Sequence, residues 1–229
     1  MRIIGLVGGT SWVSTQDYYR LLNEGVNAQL GGLNFAECLV YSFNYADIKR
    51  NNDTNNWAST TQMLSAAAQK LKQGGAEAIV LCANTMHLIA DAVQENVQLP
   101  LIHIAEATAQ AIVQQQLHTV ALLGTRFTME EDFFTGRLAQ HGIRTIIPGD
   151  ADREFVQYTI YEELGRNVLL PSTKEKYIRL INELAEQGAQ GVILGCTEIP
   201  MLIKPGDVSI PVFNTLELHV QAAVQFMLQ

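Results

Sequence analysis

Two cysteines carry the chemistry that this chain can do, because they sit at matching points of two similar segments. Cys82 lies in Ala78-Ile79-Val80-Leu81-Cys82-Ala83-Asn84-Thr85, and Cys196 in Gly191-Val192-Ile193-Leu194-Gly195-Cys196-Thr197-Glu198. Each follows a short apolar, β-branched run and precedes a small polar turn, which reads as the C-terminal tip of a parallel strand, where open α/β sheets place ligands. Two thiols in equivalent places suit a reaction that needs the same group twice, from two sides. Stereoinversion at a carbon is such a reaction: a thiolate removes a proton from one face and a thiol delivers a proton to the other.

The turns around them point the same way. Gly8-Gly9-Thr10-Ser11 and Cys82-Ala83-Asn84-Thr85 belong to the first half of the chain, Gly124-Thr125 and Gly195-Cys196-Thr197 to the second. Turns of small residues that lead into helices present backbone N–H groups, hydroxyls and partial positive charge to a carboxylate. The same environment is expected to lower the thiol pKa values. Competing readings are milder. Cys38 lies inside a strand and reads as a core residue. A three-cysteine metal site is disfavoured because no Cys-x-x-Cys spacing exists. Gly8-Gly9 lacks the full G-x-G-x-x-G fingerprint of a dinucleotide site. His87 either orients the turn or packs, and Glu198 either tunes Cys196 or caps a helix. Trp12 and Trp57 read as packing groups or as groups lining a site.

The elements that position these turns repeat. Strands are expected at 2–7, 36–43, 77–82 and Pro100–Ile104, helices at 14–29, 58–73 and 85–95, and a long polar loop at 44–57. Val120-Ala121-Leu122-Leu123-Gly124-Thr125 then echoes the first strand and turn, about 115 residues on, and the cysteine segments are offset by a similar amount. Lys72-Gln73-Gly74-Gly75-Ala76 is echoed by Glu186-Gln187-Gly188-Ala189-Gln190, and Leu99-Pro100-Leu101-Ile102 by Ile210-Pro211-Val212-Phe213. This order indicates an internal duplication. In the second half, Thr128-Met129-Glu130-Glu131 reads as a capping box opening a helix over 128–140. Further helices are expected at 153–164, 173–187 (with Pro171-Ser172-Thr173 as the break between them) and 215–228. The fold class is α/β: two pseudosymmetric lobes, each a parallel sheet flanked by helices, with an active site in the cleft between them. Residues 1–104 plus 210–229 would form the N-terminal lobe and 105–209 the C-terminal lobe.

Composition fixes the class of partner. With 48% apolar and 17% charged residues the chain holds a core and is not disordered. A net charge of −8 argues against nucleic acid. No apolar run is long enough for a membrane span or a signal peptide, and three scattered cysteines do not make a disulfide framework, so a reducing cytoplasm is the expected location.

The Gly8-Gly9-Thr10-Ser11-Trp12 turn, Cys82-Ala83-Asn84-Thr85-Met86-His87, Gly195-Cys196-Thr197-Glu198-Ile199-Pro200, Ile160-Tyr161-Glu162-Glu163-Leu164 and Pro211-Val212-Phe213-Asn214-Thr215 together resemble the cofactor-independent aspartate/glutamate racemase family, on its aspartate racemase branch. The resemblance implies a two-base thiol mechanism, no pyridoxal phosphate, no metal, an acidic amino acid as substrate and a homodimer. Residue by residue it implies acid/base roles for Cys82 and Cys196. It implies contacts to the α-carboxylate or ammonium for Thr10, Asn84, Thr85, Thr125 and Thr197. For the side-chain carboxylate it offers Arg50, Asn52 and Arg166. Aspartate and glutamate both remain open, as does the enantiomer on which each cysteine acts. Decarboxylation or cis–trans isomerisation of a dicarboxylate is the competing enzyme reading, and a non-catalytic module that binds a small acid is the competing class.

Overall fold

The computed structural model describes residues 1–229. It divides into two units, Met1–His103 with His219–Gln229, and Ile104–Leu218.

In the first unit, four parallel strands lie in the order β2-β1-β3-β4: β1 (Ile4–Gly8), β2 (Cys38–Ser42), β3 (Ala78–Leu81) and β4 (Leu101–Ile102). The helices are α1 (Trp12–Leu30), α2 (Tyr45–Asp53), α3 (Trp57–Gln73) and α4 (Ala90–Val97), with a 3₁₀ turn at Thr85–Ile89. Val7, Ile79 and Leu81 pack in one cluster with Leu64, Ala67, Ala68 and Leu71 of α3 and Val93 and Val97 of α4. Strand alternation turns Ile4, Leu6, Ala78 and Val80 to the opposite face, and all four are buried. Tyr18, Leu22 and Val26 of α1 recur every four residues and are likewise buried, as a single helix face requires.

The second unit repeats the plan. Its parallel order is β6-β5-β7-β8: β5 (Thr119–Gly124), β6 (Arg144–Ile146), β7 (Val192–Gly195) and β8 (Val212–Asn214). Its helices are α5 (Ile104–Gln114), α6 (Arg126–Glu130), α7 (Asp132–Gln140), α8 (Asp150–Glu162), α9 (Pro171–Glu186) and α10 (Ile199–Leu202), with a 3₁₀ turn at Leu164–Arg166. The first turn of α11 (Thr215–Met227) belongs to this unit and the rest, from His219, to the first. Both sheets therefore run second-first-third-fourth strand, which is the duplication expected from the repeated segments.

Several expectations are corrected. The segment 44–57 is largely helix. α2 buries one apolar residue, Ile48, and leans on local charge, with Lys49 Nζ 2.6 Å from Asp53 Oδ2, so no apolar stripe announces it. Thr128 opens no helix. Thr125 is the N-cap and accepts from the Thr128 N–H at 3.4 Å, while Thr128 itself is fully buried. The single helix expected over 128–140 is two, parted at the extended Glu131. Pro171 lies inside α9 at its first turn, where its missing N–H costs nothing. The short strand β6 was not foreseen. The expected return at residue 210 comes later, because β8 pairs with β7 and completes the second sheet.

One glycine is indispensable to the first turn. Gly9 has φ +83°, and a Cβ there would lie 2.3 Å from both the backbone N and O of Phe43. A Gly9→Ala change combines left-handed strain with a backbone clash that no rotamer relieves. It is expected to destabilise the protein by roughly 2–4 kcal/mol, read as a fall in melting temperature by calorimetry; a melting temperature equal to the parent's would contradict this account of the turn.

Candidate active site

In the first unit the site grows from the ends of β1 and β3. Ser11 caps α1, accepting from the Ser14 N–H at 3.3 Å. Thr15 Oγ1 accepts from the Gly9 N–H at 2.9 Å and donates to the Ser11 carbonyl at 2.9 Å, closing the Gly8-Gly9-Thr10-Ser11 turn on itself. Thr10 is buried in that turn, and its Oγ1 has no hydrogen-bond partner within the protein. Cys82 follows β3 directly, its N–H donating to Val7 O at 2.9 Å. Its carbonyl is held by Ser14 Oγ of α1 at 2.9 Å, and the carbonyl of Ala83 by His87 Nδ1 at 2.9 Å. Asn84 is buried beside them and Thr85 half-buried.

The second unit offers the counterpart. Thr125 follows β5 and caps α6; it is buried, with its Oγ1 3.2 Å from Thr128 Oγ1. Cys196 follows β7, and its Sγ donates to Glu198 Oε2 at 2.9 Å. The same oxygen accepts from Thr197 Oγ1 at 2.9 Å. Thr215 Oγ1 of α11 pins the Leu194 carbonyl at 3.0 Å. The carboxylate of Glu198 is therefore a ready acceptor for the Cys196 proton.

The electrostatics correct one expectation. Neither thiol is lowered. Burial pushes Cys82 up, with a smaller push from Cys38. Burial also pushes Cys196 up, and the neighbouring Glu198 charge adds to it. Cys82 is 0% and Cys196 8% exposed, and removing a thiolate from water outweighs the pull of the turn dipoles. Burial therefore favours the neutral thiol at both positions. Cys38, half-buried in β2, is the most accessible of the three. Iodoacetamide at pH 8 is therefore expected to label Cys38 first, with Cys82 and Cys196 protected, as peptide mass spectrometry reads directly; rapid labelling of either buried thiol contradicts this burial.

The sequence from residue 7 to residue 223 matches the Asp/Glu/hydantoin racemase family. The chain belongs to that family. Among solved structures it is similar over its whole length to a candidate Asp/Glu racemase from Yersinia pestis, with 48% identity, 100% of each chain covered and a TM-score of 0.96. It is also similar to an aspartate racemase homologue from Pyrococcus horikoshii OT3, with 36% identity, 100% of each chain covered and a TM-score of 0.89. A glutamate racemase from Staphylococcus carnosus is 27% identical over 144 residues, which span 60% of this chain and 52% of that protein. No helix is long and apolar enough to cross a membrane.

Not every residue suggested by the family resemblance joins the two turns. Arg50, in the last turn of α2, is 74% exposed in its side chain and pairs with Asp47 at 3.4 Å. Arg166, in the second 3₁₀ turn, is 66% exposed and pairs with Glu162 at 2.5 Å. Neither has a hydrogen bond or ion pair to the cysteine turn of its own unit. Asn52 holds its Oδ1 buried and without a hydrogen-bond partner. Trp12 is 70% exposed and so is no packing group.

Sequence reasoning missed the groups behind Cys82. Tyr18 OH lies 2.7 Å from His219 Nδ1, and His219 Nε2 lies 2.6 Å from the Ile102 carbonyl. A carbonyl only accepts, so His219 carries its proton on Nε2 and takes the tyrosine hydrogen on Nδ1. The His87 ring lies 4.7 Å from His103 and 5.2 Å from His219, centroid to centroid. Burial, and then the neighbouring imidazole in each case, holds His87 far below its ordinary pKa and His219 down at about 3. The one signal available was Ser14 and Tyr18 falling on the same helix face, four residues apart.

Proposed function

We propose that the protein is a cofactor-independent amino-acid racemase that interconverts L- and D-aspartate, or glutamate or a closely similar amino acid, by a two-base thiol mechanism. The observation that carries this reading is the pair of buried thiols, each directly after the third strand of a sheet with the same strand order. Family membership supports the reaction class, and the relatives' names support an acidic substrate.

In this mechanism the thiolate of one cysteine takes the hydrogen from Cα; the Cα–H bond breaks, an S–H bond forms, and the electron pair stays on the carbon, delocalised into the adjacent carboxylate. The other cysteine gives its S–H hydrogen to the opposite face and becomes the thiolate. The reverse reaction exchanges the two roles. Cys196 reaches the thiolate state by passing its proton to Glu198, across the hydrogen bond already formed. Thr10, Asn84, Thr85, Thr125 and Thr197 supply hydroxyl, amide and backbone donors for the α-carboxylate and partners for the ammonium. The unpartnered, buried Thr10 hydroxyl supports that role, since leaving such a group unpaired costs about 1–3 kcal/mol. Arg50, Asn52 and Arg166 are proposed for the side-chain carboxylate, which requires the two arginines to leave their present acidic partners. We further propose a homodimer in a reducing cytoplasm, where the three cysteines stay free, as they are here.

The test is chiral chromatography of L- and D-aspartate and L- and D-glutamate incubated separately with the protein, with no pyridoxal phosphate or metal added. Appearance of the opposite enantiomer from at least one pair is expected. No inversion of any of the four would overturn the reading.

A further inference from the structure

We propose that Ser14 and His87 are positioning residues that fix the two peptide planes following Cys82 and so aim the N–H groups of Ala83 and Asn84 at the substrate carboxylate. This inference rests on the racemase reading above.

All peptide bonds in the chain are trans. In a planar trans peptide the C=O and the N–H of the next residue point in opposite directions, so anchoring one aims the other. Ser14 Oγ anchors the Cys82 carbonyl at 2.9 Å, which turns the Ala83 N–H away from α1. His87 Nδ1 anchors the Ala83 carbonyl at 2.9 Å, which turns the Asn84 N–H away from the imidazole. Two successive carbonyls, of Cys82 and Ala83, are thus drawn back into the unit by side chains, and the N–H group that follows each, of Ala83 and of Asn84, is turned the other way.

Both anchors are buried. Ser14 is 2% and His87 2% exposed. The backbone N–H of His87 further donates to Asn84 O at 3.0 Å, which closes the turn. The bond to Ala83 requires the hydrogen on Nδ1, which leaves Nε2 as a lone pair; that atom is buried and has no hydrogen-bond partner. The ring is thus in the neutral tautomer that can donate to the Ala83 carbonyl. It is wedged against His103 and His219, and His219 is itself held from both ends by Tyr18 and the Ile102 carbonyl. The histidines form a buried scaffold behind the turn, and none of them serves as a proton carrier. Donors fixed in advance at the carboxylate stabilise the charge that spreads onto it as Cα loses its hydrogen, without reorganisation during the step.

Substitutions separate this role from simple packing. The amide nitrogen of Asn falls where Nδ1 of His lies, whereas the amide nitrogen of Gln falls where Nε2 lies. His87→Asn therefore keeps the anchoring donor, while His87→Gln and His87→Leu remove it from that position. Ser14→Ala removes the other anchor. Racemisation by His87→Gln, His87→Leu and Ser14→Ala is expected to drop about 10- to 100-fold, mainly in kcat, with His87→Asn recovering most of the loss. Circular dichroism melts normalise for the folded fraction. In ¹⁵N-labelled protein without ligand, the Ala83 and Asn84 amide resonances are expected to move in His87→Leu and to stay near the parent positions in His87→Asn. Parent kcat and KM in the folded His87→Leu and Ser14→Ala variants overturn the inference, as do unmoved Ala83 and Asn84 amides in His87→Leu. A parent protein that inverts none of the acidic amino acids instead overturns the racemase reading, and the ligand-free amide positions still decide the peptide-plane geometry.

Discussion

Replacing either Cys82 or Cys196 by alanine is expected to lower kcat/KM for racemisation by at least about 10³-fold, in the range that general acid–base groups supply. In the proposed mechanism each direction needs one sulfur as base and the other as acid, so loss of either sulfur is expected to stop both directions. The double variant is then expected to be little worse than either single variant, because groups that act as a unit lose their contribution together. Both variants should fold. Alanine leaves only a sulfur-sized gap at each strand end, and the neighbouring backbone bonds, Cys82 N–H to Val7 O and Ser14 Oγ to Cys82 O, do not involve the side chain. Polarimetry or chiral chromatography of the three variants measures this. A folded Cys82→Ala protein that racemises at the parent rate contradicts the account.

A second large effect concerns acid. His87 and His219 are buried as neutral rings, His219 with its pKa down at about 3 against an ordinary 6.5. The unfolded chain takes up protons at these sites as the pH falls through 6.5, while the folded chain refuses them until far lower pH. Stability from this cluster is therefore complete above about pH 6.5 and is lost progressively as the pH falls toward 3, at up to about 1.4 kcal/mol per pH unit for each histidine. Denaturant unfolding at pH 7, 6 and 5 is expected to show a steep decline before most carboxylates titrate. A His219→Phe variant, less stable overall because Tyr18 and Ile102 lose a partner, is expected to show a shallower slope. Equal slopes in parent and variant would argue that the proton uptake lies elsewhere.

Such contacts mark the limit of what the chain discloses by itself. The cysteine turns were legible because each pairs an apolar, β-branched run with a small polar turn, and because the two copies recur in order with the same neighbours. The parallel sheets followed from the alternation of strands and helices. What lay hidden depended on distance along the chain or on depth. Ser14 and Cys82 are 68 residues apart and Tyr18 and His219 are 201 apart, so no local pattern joins them. The helix at Tyr45–Asp53 buries too little to leave an apolar stripe. The pKa direction of the thiols reversed because burial is a tertiary quantity; the small polar turn suggested a dipole, and the packing around the sulfur set the larger effect. Arg50 and Arg166 answer to residue type and family resemblance alone, and each is engaged by an acid one helical turn away, Asp47 and Glu162.

The exchange of hydrogen with solvent probes the pair of sulfurs most closely. A single enantiomer of the preferred acidic amino acid, incubated with the intact protein in D₂O, is followed by chiral separation and mass spectrometry at low conversion. Delivery from a second thiol predicts deuterium at Cα in essentially all of the newly formed enantiomer, while the unconverted starting enantiomer keeps protium. Inverted product that retains the original hydrogen, or equal deuterium in both enantiomers from the earliest times, contradicts a proton taken by one cysteine and replaced by the other.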